Sequence, residues 1–234
     1  MNFAIILSGG KGVRLGGNIP KQYLKVADKP IIAYALRVFN ENENINSIIV
    51  VAATEWQELI RECLQNENIT KFKGFANAGS SRQQSILNGM KKAYEMGADD
   101  SDKIIIHDAA RPNVTATTIA DCFDGLKEAD GVMPALPLKD TVYLSENGES
   151  IQSLLNRDHL YAGQAPEAFV LGKYFGIQED MSEDELSQVR GSSEIAFKEG
   201  LYVKIISGDE HNYKITTMAD LNKFKKEREY HESI

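Results

Sequence analysis

Residues 3–16 read FAIILSGGKGVRLG, an apolar run that passes directly into a glycine-rich loop. Five apolar residues in succession are typical of a strand buried on both faces of a parallel sheet. Ligands bind at the carboxyl ends of such strands, and glycines let backbone N–H groups approach phosphate oxygens closely. Because Lys11, Arg14 and Lys21 add positive charge, the stretch predicts a site for a nucleoside triphosphate.

The glycine pattern matches neither of two common phosphate-binding fingerprints. The GxxxxGK[ST] spacing of a P-loop is absent, and Gly10-x-Gly12 lacks the third glycine of a dinucleotide-binding loop. An NAD-dependent oxidoreductase on a Rossmann fold therefore stays an alternative from the strand and loop alone. A glycine-rich turn with solvated basic residues is the simplest structural interpretation of the same stretch.

Downstream, short apolar runs alternate with amphipathic helical patterns, which is typical of βαβ units and a parallel sheet. Strands are predicted at 47–53 and 103–107, and helices are predicted after Pro30 and from about Thr54 and Ser81. We therefore predict an α/β fold, Rossmann-like with a mostly parallel twisted sheet, in one domain that spans all 234 residues.

The alternation of strands and helices changes between residues 139 and 163. Two short β-patterned stretches, 141–145 and 151–155, flank Asn147-Gly148, a dipeptide that is a strong hairpin-turn signal. We expect a β-arm at about 139–163 that projects from the main sheet.

Composition excludes several classes of function. The chain has 26 Lys and Arg against 34 Asp and Glu, a formal net charge of −8, whereas non-specific binding to nucleic acid or anionic lipid needs a cationic surplus. No apolar run approaches the ~20 residues of a membrane span. The first strand leads into glycines rather than a signal-peptide cleavage site, so we expect a cytoplasmic protein without a membrane or nucleic-acid partner. Cys63 and Cys122 are expected to be core thiols.

A second candidate segment, His107-Asp108-Ala109-Ala110-Arg111, ends the strand predicted at 103–107. Asp108 is a candidate ligand for Mg²⁺, which proteins hold through one or two carboxylates together with substrate phosphates. Arg111 can bind a phosphate through two nitrogens. For His107 we favour a buried, hydrogen-bonded imidazole over a functional role. A zinc site is not expected.

Polar groups suited to a nucleotide or its acceptor occur in further segments. Gly79, Ser80 and Ser85 can present backbone and hydroxyl groups to the edge of a pyrimidine, although the same stretch suits a helix N-cap. Lys214 and Arg157 are cations with no obvious acidic partner in sequence, and taken singly each could be a solvated surface charge.

Seven segments occur in an order that resembles the cytidylyltransferases acting on methylerythritol phosphate or ribitol phosphate: LSGGKGVRLG, PKQYL, GSSRQQS, HDAARP, LKDTV, NRDHLYAGQAP and YKITTMADL. The resemblance covers almost the entire chain. It implies a nucleotidyltransferase fold that binds CTP and Mg²⁺. It also implies a homodimer in which the β-arm of one subunit completes the sugar-phosphate site of the other.

The resemblance assigns roles to the matching positions of this sequence. It implies that Arg14, Lys21 and Lys214 stabilise the triphosphate during transfer. The residues implied to bind CTP are Ser8, Gly9, Gly10, Gly12, Gly79, Ser80, Ser85 and Asp108, and Asp108 also faces the metal. Arg111, Thr141 and Arg157 are implied to hold the acceptor, with Arg157 arriving from the partner subunit.

The segment from Asn156 to Gln164 resembles the ribitol-phosphate branch more closely, since the methylerythritol-phosphate branch usually has Asp-Arg and a Trp before Ala-Gln-Thr-Pro. We therefore predict transfer of CMP from CTP to a pentitol phosphate, D-ribitol 5-phosphate, as in teichoic acid or capsule synthesis. Methylerythritol phosphate, as in isoprenoid synthesis, is the alternative acceptor, and a non-catalytic nucleotide-binding homologue is a second alternative.

Two departures from both branches fall where the acceptor is expected to bind. Ala165 stands where both branches normally have Thr, and residues 190–194 replace a customary Thr-Asp start. Arg190 is a candidate for a compensating contact to a phosphate or a hydroxyl group.

Overall fold

A mixed eight-stranded sheet organises the computed structural model, which describes residues 1–10 and 19–232. The strands are β1 Asn2–Leu7, β2 Lys25–Val26, β3 Lys29–Pro30, β4 Ser47–Ala52, β5 Phe72–Asn77, β6 Lys103–Asp108, β7 Gly131–Pro137, β8 Val142–Leu144, β9 Ser153–Leu155, β10 Tyr161–Gly163, β11 Glu167–Val170 and β12 Val203–Ser207. The helices are α1 Ile31–Glu41, α2 Gln57–Asn66, α3 Arg82–Glu95, α4 Ala116–Gly125, α5 Leu171–Gly176, α6 Glu183–Gln188, α7 Ser192–Lys198 and α8 Met218–Glu232.

Strand order in the main sheet is β10-β7-β11-β6-β1-β4-β5, with β12 paired to β7. β1 is parallel to both β4 and β6, and β4 is parallel to β5, whereas β10 and β11 run antiparallel to their neighbours. The predicted α/β fold with a mostly parallel sheet is confirmed. From β1 the chain first builds outward through β4 and β5 and then returns to β6 on the other side. Ligand clefts form at such a switch point.

Both faces of the sheet are covered by helices, which explains the continuous apolar runs of its strands. In β1, Ala4 and Ile6 pack into the cluster formed with α1, α2 and α4, whereas Phe3 and Ile5 pack against α3 and α5 to α7. Both cysteines are free and buried in helices, as predicted.

Strands β5, β7 and β11 of the main sheet have no clear strand pattern in the sequence. β5 contains Lys73 and Gly74 and lies at the sheet edge, so it has no alternating apolar pattern. β7 contains Pro134 and Pro137, which lack the N–H that a central strand normally donates. β11 has four residues, too few for a clear pattern.

The β-arm predicted at 139–163 is a hairpin of β8 and β9, which pair with each other in a small separate sheet. Its predicted end is wrong by a few residues, because Tyr161–Gly163 pair with Ala135–Pro137 of the main sheet. In the connecting loop, Asn147 accepts hydrogen bonds from the backbone of Glu149 and Ser150. Across the described residues, no helix has the length and apolarity needed to span a membrane.

Candidate active site

A cleft of about 590 Å³ opens where β1 and β6 end side by side. Of the predicted site residues, those that line it are Gly9, Gly10, Lys21, Gly79, Ser80, Ser85, Asp108 and Lys214. A second cavity of about 600 Å³, between α1, α8 and the loop after β6, is lined by other residues. Most of the site residues predicted from the sequence therefore lie in the cleft at the switch point of the sheet.

The start of the glycine-rich loop is held in place by residues 22 and 23. Gln22 Nε2 donates hydrogen bonds to the carbonyls of Ser8 and Gly10, at 2.7 and 2.8 Å. Ser8 Oγ donates to Tyr23 Oη at 2.8 Å and is buried, so this hydroxyl fixes the loop rather than facing the cleft. Lys21 lies on the same short segment and lines the cleft.

Glycine at position 9 is required by a close approach between two loops. A Cβ there would lie 2.5 Å from the Cβ of Ala78, closer than side chains can pack. The predicted site residues Gly12 and Arg14 lie outside the described residues, so their roles stay predictions.

The turn before α3 forms the opposite wall of the cleft. Ser81 caps the helix by accepting from Gln84 N–H, and Ser85 Oγ accepts from Gly79 N–H at 3.0 Å and donates to the carbonyl of Ser81. The structure brings Gly79, Ser80 and Ser85 together at this wall, and their role in binding a base stays a prediction. The Ser85 hydroxyl forms its hydrogen bonds within the turn. The groups of this wall that remain to contact a ligand are therefore the backbone of the turn and Ser80.

Asp108 is surrounded by three cations of the described chain. Lys214 Nζ lies 2.8 Å from Asp108 Oδ2, Arg82 Nε lies 3.5 Å from Oδ1, and Arg111 Nε lies 3.8 Å from Oδ2. Burial raises the pKa of this carboxyl group, but Arg82 and Lys214 outweigh burial and hold its pKa well below the usual range. Asp108 is therefore ionised at any physiological pH and keeps the cations close together.

Local structure explains why residues distant in sequence meet here. Asp108 ends β6 opposite Leu7 of β1. The N–H of Ile215, a fully buried residue, donates to the carbonyl of Ala110, which fixes the neighbouring Lys214 over the end of β6.

His107 has the structural role favoured from the sequence. It is fully buried, and Nε2 donates to the carbonyl of Arg111 at 2.9 Å. Burial lowers its pKa to about 4, so the imidazole is neutral at pH 7. The hydrogen bond fixes the turn that carries Asp108 and Arg111.

The predicted acceptor residues occupy two places. Arg111 contacts Asp108, and its Nη1 donates to the carbonyl of Asn212 at 2.6 Å. Thr141 and Arg157 lie together in a separate hollow of about 430 Å³ on the arm, where Arg157 donates to the carbonyl of Lys139. Within one chain, the structure does not bring the arm residues into the cleft at Asp108.

The donor set suits a magnesium ion bound mainly through a substrate. Asp108 is the one carboxylate among the described residues that line the cleft, and no group of three or more His, Cys, Asp or Glu able to hold a metal occurs in the described chain. Mg²⁺ commonly uses one carboxylate, waters and substrate phosphates. The residues therefore fit a metal that arrives with a triphosphate and not a metal site built by the protein alone.

Sequence reasoning misses Arg82, which lines the cleft and contacts Asp108. In GSSRQQS this residue begins a helix, where an arginine usually faces solvent, and only its place beside the Gly79 turn could have indicated a role. Arg190, the predicted compensating contact, is exposed and is not among the described residues that line the cleft.

Residues 2–225 match the profile of the family described as IspD, 2-C-methyl-D-erythritol 4-phosphate cytidylyltransferase. The chain belongs to the IspD family. The predicted resemblance and the enzyme class, nucleotidyltransferase, are confirmed, and the NAD-dependent oxidoreductase alternative is wrong.

Relatives within the IspD family carry two names. A protein of Streptococcus agalactiae serotype Ia is 29% identical over 226 residues, covering 96% of this chain and 94% of the relative, and is named ribitol-5-phosphate cytidylyltransferase. A protein of Geobacter metallireducens is 35% identical over 222 residues, covering 94% of each, and is named 2-C-methyl-D-erythritol 4-phosphate cytidylyltransferase. Family membership therefore leaves the acceptor unassigned.

Solved structures of similar fold superpose on almost the whole of this chain. The 4-diphosphocytidyl-2C-methyl-D-erythritol synthase of Anaerococcus prevotii superposes with a TM-score of 0.81 at 21% identity, covering 97% of this chain and 96% of that one. The 2-C-methyl-D-erythritol 4-phosphate cytidylyltransferase of Francisella tularensis gives 0.76 at 26% identity, covering 95% and 97%.

Proposed function

We propose that this IspD-family enzyme transfers CMP from CTP to a pentitol phosphate, D-ribitol 5-phosphate, and releases pyrophosphate. The observation that carries the proposal is the convergence of Lys21, Arg111 and Lys214 with Asp108 at the end of the sheet's central strands. Support for the acceptor comes from the arm segment 156–164 and from the ribitol-5-phosphate names of relatives in S. agalactiae and Vibrio parahaemolyticus.

The proposed reaction is an in-line displacement at the α-phosphorus of CTP. An oxygen of the acceptor phosphate forms the new P–O bond while the bond to the β-phosphate breaks, and pyrophosphate leaves with the electron pair. A phosphate monoester is anionic at pH 7, so the nucleophile needs no strong base. This agrees with a site in which Asp108 is paired with cations and His107 is bound to the Arg111 carbonyl.

The main barrier is electrostatic, because two polyanions must meet while charge builds on phosphorus and the leaving group. Fixed cations aimed at that charge lower the barrier, and one well-placed contact is typically worth about 3 kcal/mol or roughly a hundredfold in rate. We assign Lys21 and Lys214, with Arg14, to the triphosphate and Arg111 to the acceptor phosphate. The turn from Gly79 to Ser81 is assigned to the cytosine.

We propose that Asp108 would hold Mg²⁺ together with the phosphates of CTP. A bound ion would supply positive charge that neutralises the phosphates of the leaving group. The support is the chemistry of the donor set, one carboxylate beside room for phosphates.

We further propose a homodimer in which the partner's arm supplies Thr141 and Arg157 to the cleft. The arm exposes Tyr143 and Leu154 to solvent by 53% and 66%, more apolar surface than a short hairpin normally leaves uncovered. A cytoplasmic location is proposed because both cysteines are free thiols.

Methylerythritol phosphate is the second candidate acceptor, favoured by the 35% identity to the Geobacter protein. A pyrophosphate-release assay with CTP, Mg²⁺ and the phosphates of ribitol, methylerythritol, arabinitol and glycerol separates the candidates. We expect kcat/KM for D-ribitol 5-phosphate to exceed the others by about tenfold or more, the discrimination that one or two acceptor contacts provide. Preference for methylerythritol phosphate would assign the second candidate. No release with any acceptor would favour the non-catalytic alternative.

A further inference from the structure

Arg82 has contacts on the side away from the cleft that the proposed mechanism does not use. Its Nη1 donates to Ser192 Oγ at 2.6 Å, and its Nη2 lies 3.4 Å from Glu167 Oε1. Nε faces Asp108 Oδ1 at 3.5 Å. The guanidinium therefore uses each of its nitrogens on a different partner, from β6, β11 and α7.

Glu167 is a nearly buried carboxylate at the start of β11, beside β6. Its second oxygen, Oε2, accepts from the backbone N–H of Ser193 at 2.9 Å and from Ser193 Oγ at 2.6 Å. Glu167 is not among the described residues that line the cleft, and its contact with Arg82 is the direct link between this carboxylate and a residue that does. Ser193, in the segment 190–194 that departs from the resemblance, therefore holds Glu167, and the adjacent Ser192 holds Arg82.

Charge balance shows why this second carboxylate matters. Arg82, Arg111 and Lys214 share one cleft carboxylate, Asp108. Removing one of the two carboxylate partners of a largely buried guanidinium is costly, and without Glu167 the Arg82 side chain would compete with Lys214 for Asp108. A guanidinium, unlike an ammonium, can hold several acceptors in one fixed plane. Glu167 and Ser192 thus keep Arg82 on Oδ1 and leave Oδ2 to the other cations.

We propose that Arg82 is a positioning residue of the transfer and that Glu167, held by Ser193, sets its orientation. This inference rests on the proposed function. Arg82 begins α3 directly after the turn assigned to cytosine, so its contact with Asp108 fixes the distance between the base-binding turn and the reacting phosphates. The Glu167 contact is therefore needed for the geometry of transfer and not for CTP binding, because the turn is closed by its own hydrogen bonds.

The test is Glu167→Gln, which keeps the shape and removes the charge. We expect kcat to fall about tenfold with the KM for CTP within about twofold, the pattern of an interaction used only in the transition state. Glu128→Gln is the control, because that carboxylate is exposed and pairs with Lys204 on the surface instead. The control is expected to keep wild-type kinetics. A Glu167→Gln enzyme with unchanged kcat overturns the inference.

A double-mutant cycle checks that Glu167 acts through Arg82. Arg82→Lys should also lower kcat, and adding Glu167→Gln to it should cause little further loss, because the two residues form one unit. Losses that multiply in the double variant would contradict this coupling. If Glu167→Gln fails to fold by circular dichroism, Ser193→Ala replaces it, with an expected loss of about threefold in kcat for one weakened hydrogen bond. An unchanged kcat in Ser193→Ala would then overturn the inference.

Wild-type enzyme is assayed first, with the acceptor it turns over best. Turnover by wild type together with normal Glu167→Gln kinetics would overturn only the inference about Arg82. Absence of turnover with every acceptor would overturn the proposed function and this inference with it.

Discussion

Asp108 illustrates how one carboxylate can hold several cations of a site close together. Its carboxylate is within 4 Å of nitrogens of Arg82, Arg111 and Lys214, which would otherwise repel one another. The cations are thus assembled before a triphosphate arrives, and the enzyme does not have to reorganise them as charge develops.

The cleft lysines can be tested individually. Lys21→Ala and Lys214→Ala should each lower kcat about a hundredfold, because each removes a cation from the charge that builds in the transition state. Steady-state kinetics measure the change in kcat, and circular dichroism shows whether each variant is folded. Lys127→Ala removes a lysine paired with Asp124 on the surface and serves as the control. Near-normal turnover in both cleft variants would discredit the assigned roles.

His107 makes stability depend on pH in a defined window. Its pKa is about 4 in the folded protein against 6.5 ordinarily, so the unfolded chain binds a proton that the folded chain excludes. The free energy of unfolding should therefore fall as pH drops from about 6.5 to about 4, by up to about 3 kcal/mol from this group. Urea unfolding at several pH values measures the slope.

Two variants isolate the contribution of His107. His107→Gln keeps a donor near the Arg111 carbonyl and should flatten the pH dependence, whereas His211→Gln, at an exposed histidine, should leave it unchanged. An equally steep slope in His107→Gln would show that other groups cause the loss of stability.

Among the elements, the turn that precedes α3 depends on one glycine. A Cβ on residue 79 would lie 2.3 Å from Gln84 Cγ and 2.9 Å from its backbone carbon, so Gly79→Ala must displace the turn. We expect CTP to bind about tenfold more weakly, as is common when one binding contact is misplaced. Calorimetric titration measures this. Gly176→Ala, where a Cβ meets nothing within 4 Å, is the control, and equal affinity in both variants would contradict the assignment of the turn.

The arm is the element expected to join two subunits. Leu154→Asp places a charge on its exposed apolar surface and should convert a dimer to a monomer, since a charge buried without a partner is costly. Light scattering gives the mass. Ile205→Asp makes the same change on an exposed residue of β12 and should leave the mass unchanged. A wild-type protein with the mass of one chain would contradict the proposed dimer.

The sequence predicts the main secondary-structure elements better than it predicts the contacts between distant residues. The buried runs of β1, β4 and β6 and the amphipathic helix α1 carry clear patterns, and the position of Asp108 at a strand end indicates a site. Local patterns do not reveal β7, because its prolines oppose a strand assignment. They also miss the Arg82–Glu167 pair, because these residues are 85 positions apart and meet only after β11 enters the sheet beside β6.

At the scale of the whole molecule, the overall charge and the charge of the site have opposite signs. The chain carries a net charge of −8. The described residues that line the cleft nevertheless include three cations, Lys21, Arg82 and Lys214, against one carboxylate. The reason is topological: α3 contributes Arg82 from one face of the sheet, and the segment before α8 contributes Lys214 from the other, both over the end of β6. An acidic surface discourages non-specific anion binding, so anionic substrates are bound locally.

The central claim is that this cleft joins CTP to a pentitol phosphate, and a ³¹P NMR time course with Mg²⁺, CTP and D-ribitol 5-phosphate tests it most directly. We predict that the triphosphate signals give way to a pair of diphosphate ester signals and one pyrophosphate signal, and that an Asp108→Asn enzyme shows little conversion. Unchanged CTP in the wild-type reaction, or its hydrolysis to CMP without a diphosphate ester, would contradict the account.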